Sequence, residues 1–403
     1  MAAVLVLAVA ACSDTEGEGT DDPIIIGSTL PLTGAFAPTG VIHQIAGELF
    51  VERLNANGGL LGRQVEWRLL DDESNQDRVT QLYERLISQD EVDLLMGPYA
   101  TPNIIAAVAV AEREGYVLPQ HTAVHAPLLT YRCQFPGWSI SPEPDVYVSE
   151  QLFEMLASLP DPPETIALVT NESGSTAPMT HGFGGGGGMV GIAPQYGLEV
   201  LDVLSYAPGN QEWDSIATQL RDLDADIVVN NGLGVEAVGM LEAMARLEYR
   251  PSMFFSLFPA PGPLLGLGEL GQGALSVSLF EPNESLLSSY GAEVQEIVEE
   301  FRQRSEDRGL PYTAFETQAT ASWNAWEILA GAVEGAGTLD QEALCDYLIE
   351  NGVDTTFQGH LDFDPAVSNF WDTNVGIKQI QDGDWVMVWP ADRAAAAPVQ
   401  PLS

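Results

Sequence analysis

Positive charge is scarce in this sequence. Its 403 residues include 58 Asp and Glu but only 15 Lys and Arg, which gives a formal net charge of −43 at pH 7, and Lys378 is the only lysine. Few groups could neutralise phosphates, which argues against nucleic acid as a partner and against electrostatic binding to anionic lipid. The acidic residues are spread along the chain, so they predict a solvated surface suited to salty surroundings.

Cysteine and histidine are few as well, with three Cys and five His. The histidines show no metal-ligand spacing with Cys or acidic residues, so neither a metal nor a cofactor is expected. A Gly-x-Ser-x-Gly turn is absent, and no nucleophile with a base and an orienting acid is recognisable. The sequence therefore favours a binding protein over an enzyme.

Long apolar runs are absent apart from Met1–Ala11, which is too short to span a bilayer. Small residues end this run directly before Cys12, a pattern that resembles a bacterial lipobox. It predicts a lipoprotein signal peptide over 1–11, a lipidated Cys12 and a flexible acidic tether over 12–23. The alternative is an ordinary secretory signal with a chance cysteine, and the missing basic segment leaves the true start codon open. In an exported protein Cys133 and Cys345 could form a disulfide, but the sequence does not decide whether they pair.

The most informative stretch is Gly97-Pro98-Tyr99-Ala100-Thr101. The apolar run before it, 92–96, is typical of a buried parallel strand, and Gly97-Pro98 ends that strand. Pro102 suits the first turn of the helix predicted over 103–113, which places Thr101 at or next to the helix N-terminus. Unpaired N–H groups at such a position form a small anion site. The alternative is that Thr101 merely caps its helix.

Strands and helices alternate on both sides of this stretch. Short strands separated by helices are predicted from residue 24 to residue 119, and a second set of helices and strands is predicted from residue 145 to residue 278. Helices follow over 286–308, 314–333 and 339–350, and the end, 359–389, alternates like antiparallel strands. This order predicts an α/β fold with two doubly wound parallel-sheet lobes, whose ligands bind beyond the carboxyl ends of the strands.

Several short segments carry a more specific signal, and the first four are specific as a set in this order and spacing. They are Pro31-Leu32-Thr33-Gly34 with Gly40, the run 55–63 (NANGGLLGR), Asp71-Asp72, Gly97–Thr101, Ala126-Pro127 with Leu129-Thr130, Trp323-Asn324-Ala325, and 359–364 (GHLDFD). Together they resemble the type I periplasmic binding proteins, in the branch of branched-chain amino acid (Leu/Ile/Val) ABC transporter substrate-binding proteins.

The resemblance implies two lobes joined by a three-strand hinge, with crossings near Ser141, Pro282 and Gln358. Lobe 1 would comprise 24–141 plus 283–357, lobe 2 would comprise 142–282 plus 358–390, and 391–403 would be a disordered tail. It further implies an extracytoplasmic, lipid-anchored monomer that binds a small ligand in lobe 1 first. The lobes then close by hinge bending, and an ABC permease recognises the loaded form.

The resemblance also assigns site residues in lobe 1. Thr101 matches the Ser/Thr that binds the ligand carboxylate, Ala123 matches a position that binds through its backbone, and Tyr99 lies in the same motif. His125 stands where the family usually has Thr or Ser, and a protonated His there would strengthen a carboxylate contact. Thr39 stands where some members place an aromatic residue over the ligand.

In lobe 2, Phe258 occupies the position that amino acid binders give to an acid for the ligand ammonium. A buried ammonium without a carboxylate is costly, so the pattern favours an apolar or aromatic carboxylate that lacks an amino group. Glu236 and Glu172 are nearby acids that we interpret as solvated. A branched-chain amino acid and an amide remain alternative ligands, because the fold alone does not choose.

The run Gly184–Gly188 lies where relatives have a lobe-2 helix. It lacks the following Lys of a phosphate-binding loop, and it predicts an irregular loop or, alternatively, a backbone anion nest. A further alternative for the whole chain is a ligand-sensing domain that serves a signalling partner rather than a permease.

Overall fold

The structure, a computed structural model, describes residues 22–124, 129–173, 175–183, 187–207, 209–282, 284–371, 373 and 375–400. The predicted signal peptide, Cys12, His125 and most of the glycine run lie outside these residues. The first part of the chain contains β1 (Ile24–Leu30), α1 (Ala37–Ala56), β2 (Val65–Asp71), α2 (Gln76–Ser88), β3 (Leu94–Leu95), α3 (Thr101–Glu114), β4 (Leu118–Gln120) and β5 (Gln134–Pro136).

A second α/β unit follows, and the chain then returns to the first. The second unit contains α4 (Pro144–Ala157), β6 (Thr165–Asn171), α5 (Ala177–His181), α6 (Gly188–Ile192), β7 (Glu199–Tyr206), α7 (Asp214–Leu223), β8 (Ile227–Gly234), α8 (Glu236–Arg246), β9 (Met253–Pro259), α9 (Pro261–Leu265) and β10 (Leu275–Ser278). The rest consists of α10 (Glu284–Ser289), α11 (Ala292–Asp307), α12 (Thr317–Ala336), α13 (Gln341–Asn351), β11 (Val353–Thr355), β12 (Gly359–Leu361), β13 (Gly376–Gln381) and β14 (Asp384–Trp389).

Each lobe is built on its own sheet. In lobe 1 the order is β2-β1-β3, all parallel, and the N–H of Gly97 after β3 donates to the carbonyl of Pro119 in β4 at 2.8 Å. In lobe 2 the order is β14-β13-β10-β9-β8-β6-β7, with β13 and β14 antiparallel at one edge. Helices cover both faces of each sheet, and the predicted doubly wound α/β fold is confirmed.

Local sequence sets the ends of the helices. Asn75 caps α2 by accepting the N–H of Arg78, and Asp340 caps α13 in the same way through the N–H of Ala343. Gly115 and Gly337 end α3 and α12 in the left-handed conformation that glycine adopts at little cost. The predicted helix over 286–308 is divided into α10 and α11, and Gly291 stands at the N-cap of α11.

The chain passes between the lobes three times. The first passage is 137–143, between β5 and α4, and the second is 279–283, after β10. The third is 371–375 and not near Gln358, because β12 pairs with β11 and Phe363 packs on Phe135 at 4.9 Å in the core of lobe 1. Hydrogen bonds join the first and third passages: the N–H of Trp371 donates to Ser139 Oγ at 2.8 Å, and the N–H of Thr373 donates to the carbonyl of Ile140 at 3.2 Å.

The segment 391–400, expected as part of a disordered tail, is ordered along β13 and β14. The N–H of Ala395 donates to the carbonyl of Met387 at 2.8 Å, and the side chain of Gln379 bonds both the N–H and the carbonyl of Val399. These bonds satisfy backbone groups of the segment, so the prediction of disorder was wrong for 391–400.

A buried ionic cluster, which we call the hinge triad, lies at the second passage and consists of Lys378, Glu281 and Glu316. The Nζ of Lys378 contacts the carboxylate of Glu281 and lies 3.6 Å from that of Glu316, and all three side chains are at most 5% exposed. Lys378 belongs to β13 in lobe 2, Glu281 to the passage, and Glu316 to the N-cap of α12 in lobe 1. The triad therefore links the two lobes at the hinge.

The triad's surroundings stabilise its charges further. The Nζ of Lys378 lies 4.6 Å from the ring centre of Trp385, a cation–π geometry. Ser278 Oγ donates to Glu281 at 3.2 Å, and the N–H of Gln318 donates to Glu316 at 2.9 Å. Burial raises the pKa of Glu316 to about 7, with Lys378 lowering it and Glu281 raising it, because two carboxylates share one ammonium.

A disulfide joins two segments of lobe 1 that lie before and after lobe 2 in the sequence. Cys133 and Cys345 are bonded, with their Cα atoms 5.3 Å apart and a sequence separation of 212. Both side chains are buried in the lobe-1 core. The bond closes a loop that contains the whole of β6–β10 of lobe 2.

The hinge triad predicts a pH dependence of stability. A native Glu316 that holds its proton up to about pH 7 binds more protons than the unfolded chain, in which the pKa is 4.5. The free energy of unfolding should therefore fall as the pH rises from 4.5 to 7, by at most about 3 kcal/mol. Glu316→Gln keeps the cap acceptor but should remove this fall, as measured by urea unfolding at pH 5 and pH 8.

The matched control is Asp340→Asn, which removes a capping carboxylate at the exposed start of α13. This variant should retain the wild-type fall in stability. An equal fall in the wild type and in Glu316→Gln would contradict the assignment to the triad.

The disulfide predicts a large loss of stability on removal. Closing a loop of this length restricts the unfolded chain, and the chain-entropy argument gives about 5 kcal/mol, with measured values usually nearer 2–4 kcal/mol. The double variant Cys133→Ala/Cys345→Ala should unfold at a clearly lower temperature than the wild type in calorimetry, and Cys12→Ala serves as the control. An unchanged melting temperature would show that the bond contributes nothing.

Candidate ligand-binding site

A polar surface, which we call the floor of the cleft, lies in lobe 1 where three strands end and three helices begin. The carboxyl ends of β1, β3 and β4 meet the amino ends of α1, α3 and α12 at this edge. Parallel sheets bind ligands at such edges, and helix amino ends present N–H groups and positive dipole ends there. Thr39 and Tyr99 are in contact here, Thr101 begins α3, and Ala123 follows β4.

Thr101 is the first residue of α3, as the sequence predicts. It is 4% exposed, and its hydroxyl makes no hydrogen bond within the described parts of the chain. Pro102 supplies no N–H, and Ala100 before it has φ 74°, a conformation that a non-glycine residue rarely adopts. A strained backbone that presents an unpartnered hydroxyl at a helix amino end fits a binding position for an anion.

Tyr99 forms the centre of the floor. Its ring lies 4.7 Å from the ring of His43 and 6.2 Å from that of Phe36, and Thr39 on α1 hydrogen-bonds its hydroxyl. Burial raises the pKa of Tyr99 to about 12, and the bond to Thr39 opposes this shift while the charge of Glu316 adds to it. Tyr99 therefore stays neutral and serves as a rigid support for the residues on either side.

Two buried histidines, His43 and His121, were not identified from the sequence. Their rings lie 4.7 Å apart, and both are almost fully buried. Burial lowers the pKa of His121 to about 3, opposed by the carbonyl of Gly97, and it lowers the pKa of His43 well below 6.5, with His121 adding to the effect. Both rings are neutral. The signal that sequence reasoning missed is spacing, since His43 stands one helical turn after Thr39.

Ala123 and His125 follow β4. Ala123 is fully buried, and its N–H donates to the side chain of Gln120 at 2.8 Å, which leaves its carbonyl as the backbone group available to a ligand. His125 lies outside the described residues. Its assignment, like that of Ala123, remains a prediction from the resemblance.

Phe258 forms an apolar wall on the lobe-2 side. It lies near the end of β9, is 9% exposed, and meets Trp138 of the first passage edge to face at 6.2 Å. Gly234, at the end of β8, approaches lobe 1 so closely that a Cβ there would lie 3.5 Å from the carbonyl oxygen of Ala35. The φ of Gly234, 58°, is a second reason for glycine at this position. The short distance to Ala35 shows that the two lobes approach each other at the mouth of the cleft.

The structure corrects the interpretation of Glu236 as a solvated residue. Its carboxylate accepts hydrogen bonds from Asn171 Nδ2 at 2.6 Å, the Tyr206 hydroxyl at 2.7 Å and the N–H of Leu233 at 2.8 Å. Burial raises the pKa of Glu236, and these three donors oppose that shift. The side chain ties together the ends of β6, β7 and β8, and Glu172 is exposed as expected.

Other site types find little support. Across the described ranges, no helix is long and apolar enough to cross a bilayer, and no three His, Cys, Asp or Glu side chains are grouped so that they could hold a metal ion. The protein has two lobes joined by a hinge, with a polar edge in lobe 1 and an apolar wall in lobe 2. This arrangement defines a ligand-binding protein of the hinged, two-lobed class.

Comparison with known proteins identifies the family. The sequence pattern of the periplasmic binding protein family matches residues 23–384, and the chain belongs to this family. The family predicted from the sequence is confirmed, and it is one of binding proteins rather than enzymes. Membership implies an extracytoplasmic location.

Individual relatives are more distant. Leu/Ile/Val-binding protein homolog 8 of Brucella abortus is 25% identical over 231 residues, which are 56% of this chain and 55% of that protein. The chain thus matches about half the length of this curated relative. The substrate-binding protein LivJ of Streptococcus pneumoniae, solved with isoleucine, is 19% identical with a TM-score of 0.74, over 94% of this chain and 100% of that one.

A solute-binding protein of an ABC transporter from R. palustris, solved with benzoate, is 20% identical with a TM-score of 0.74. The alignment covers 93% of this chain and 98% of that one. At these identities the likeness shows the fold alone.

Proposed function

We propose that this protein is an extracytoplasmic solute-binding lipoprotein that delivers a small carboxylate to an ABC permease by hinge closure. The observation that supports this proposal best is the position of Thr101 at the amino end of α3, where its hydroxyl has no hydrogen-bond partner among the described residues, together with the apolar wall around Phe258 in lobe 2. A carboxylate accepts from such a hydroxyl and from helix N–H groups, while the apolar remainder of the ligand packs on the wall.

Closure follows from the placement of the two halves of the site. The carboxylate binds the lobe-1 floor, and only contacts with lobe 2 distinguish the closed state energetically from the open one. Phe258 supplies those contacts as buried apolar area, at roughly 25 cal/mol per Å². The apolar part of the ligand thus drives closure, and the closed form is the one offered to the permease.

The ligand class we favour is an apolar or aromatic acid without an amino group. Glu236, the buried carboxylate closest in sequence to the lobe-2 wall, already accepts from three donors within the protein, so little of its acceptor capacity is left for a ligand ammonium. Among the relatives, LivJ was solved with isoleucine and the R. palustris protein with benzoate, so related folds accommodate both kinds of ligand.

Matched ligands test this proposal. Isothermal titration of the purified protein would compare leucine, its keto acid and isocaproate, and likewise phenylalanine, phenylpropionate and benzoate. Tighter binding of the acids than of the corresponding amino acids would support the proposal. Preference for the amino acids would contradict the ligand class, and binding of none of these compounds would contradict the function.

Removing the Thr101 hydroxyl tests the anion position. Thr101→Val preserves shape and removes one donor, so a carboxylate should bind about 10- to 100-fold more weakly, equivalent to roughly 1–3 kcal/mol. Thr218→Val, the same change on exposed α7, should bind like the wild type. Unchanged affinity in a folded Thr101→Val protein would remove Thr101 from the site.

Lipid attachment is tested separately, since Cys12 lies outside the described residues. In cells grown with labelled palmitate, the wild type should incorporate label, Cys12→Ala should not, and Ser13→Ala should behave like the wild type. Label in the Cys12→Ala protein, or none in the wild type, would contradict lipidation at Cys12.

A further inference from the structure

The cleft floor contains a polar side chain that the sequence did not single out, Gln318. It is the second residue of α12 and is 8% exposed. Its Oε1 lies 3.2 Å from Nε2 of His43. An amide oxygen only accepts, so Nε2 of the neutral His43 carries the proton and donates it to Gln318.

This bond fixes the orientation of the amide. With Oε1 held by His43, the NH₂ group of Gln318 must point away from that ring. Its Nε2 makes no hydrogen bond to any described residue, and it is not one of the polar atoms that the protein encloses completely. An amide held at one end leaves two N–H donors available in a defined direction.

The neighbours of Gln318 place it in the carboxylate site. His43, which holds the amide, has its ring centre 4.7 Å from that of Tyr99 at a tilt of 34°, and Tyr99 stands two residues before Thr101. His43 also stands one turn after Thr39 on α1, and Thr39 bonds the Tyr99 hydroxyl. Gln318 is therefore linked through His43 to Tyr99, in the same short segment as Thr101.

The charge of the floor makes a neutral donor valuable here. The only lysine of the chain, Lys378, belongs to the hinge triad. Glu316, two residues before Gln318, adds a carboxylate to the region. The histidines of the floor are neutral. A carboxylate bound here relies on neutral donors, and the floor needs more of them than the Thr101 hydroxyl and the first N–H groups of α3.

We propose that Gln318 is a second ligand-binding donor, which pairs its NH₂ group with the ligand carboxylate, and that His43 is the positioning residue that fixes this amide. The inference rests on the proposed function and sharpens it. It makes the site selective for a monocarboxylate over the corresponding amide. A carboxylate oxygen accepts from the NH₂ group of Gln318, whereas the NH₂ group of a ligand amide in that place would itself be a donor and would face the donor of Gln318.

The test measures the preference of the protein for benzoate over benzamide and for isocaproate over its amide. Gln318→Leu removes the donors and should weaken carboxylate binding about 10-fold or more. Gln318→Glu replaces them by an acceptor with negative charge, and should weaken carboxylates further while reversing the preference toward amides. Gln219→Glu, on exposed α7, is the matched control and should change nothing.

His43 is tested by rescue. His43→Leu should weaken carboxylate binding several-fold and reduce the carboxylate preference, whereas His43→Gln carries an N–H near the position of Nε2 and should restore both. A merely structural role would produce losses in melting temperature without a change of ligand preference.

The outcomes separate the two proposals. A wild type that binds none of the carboxylates overturns the proposed function. A wild type that binds them, with Gln318→Leu and Gln318→Glu within 2-fold of it, overturns the role of Gln318 and leaves the function intact. Should these variants not fold, a crystal structure of the wild-type complex decides, because a carboxylate beyond hydrogen-bond distance of Gln318 Nε2 contradicts the inference.

Discussion

The hinge triad is the constraint on which the arrangement of the two lobes depends. Lys378 comes from lobe 2, Glu316 from lobe 1 and Glu281 from the passage between them, and all three are buried. Pulling a buried ion pair apart leaves uncompensated charge, at a cost of several kcal/mol. The lobes therefore cannot separate at this point. They can rotate about it, and hinge rotation is the motion that opens and closes a cleft.

The triad also connects the hinge to the cleft through three consecutive residues. Glu316 contacts Lys378, Thr317 accepts the N–H of Leu279 in the second passage, and Gln318 accepts from His43 in the floor. Each is held by a different part of the molecule, so the start of α12 is fixed in position and in rotation. A side chain that is fixed in this way can present its donors with little further loss of conformational entropy. The floor is thus preorganised by the same contacts that define the hinge.

Sequence reasoning predicted what depends on periodicity and short motifs. The alternation of strands and helices, the helix start at Thr101 and the family followed from patterns within about 15 residues. The third passage was misplaced because the resemblance put it near Gln358, whereas β12, which follows that residue, pairs with β11 in lobe 1.

What the sequence could not show depends on distant partners. Glu236 looks like an exposed helix residue until Asn171 and Tyr206 are placed beside it, and His43 has no evident role until Gln318, far away in sequence, reaches it. The same holds for Lys378, whose burial depends on two carboxylates from other elements. Buried polar networks of this kind are defined by tertiary packing rather than by local sequence.

The net charge of −43 constrains how an anion can reach such a site. A strongly acidic protein repels carboxylates at long range, and this repulsion weakens when salt shortens the screening length to about 8 Å at physiological ionic strength. In the proposed carboxylate site the balance changes, because helix N–H groups, a hydroxyl and an oriented amide act over hydrogen-bond distances where the surface charges are screened. Recognition by neutral donors thus separates affinity, which is set locally, from the surface charge, which is left to serve solubility. A cationic site would instead have had to place a second buried positive group beside Lys378 and compete with it for the same carboxylates.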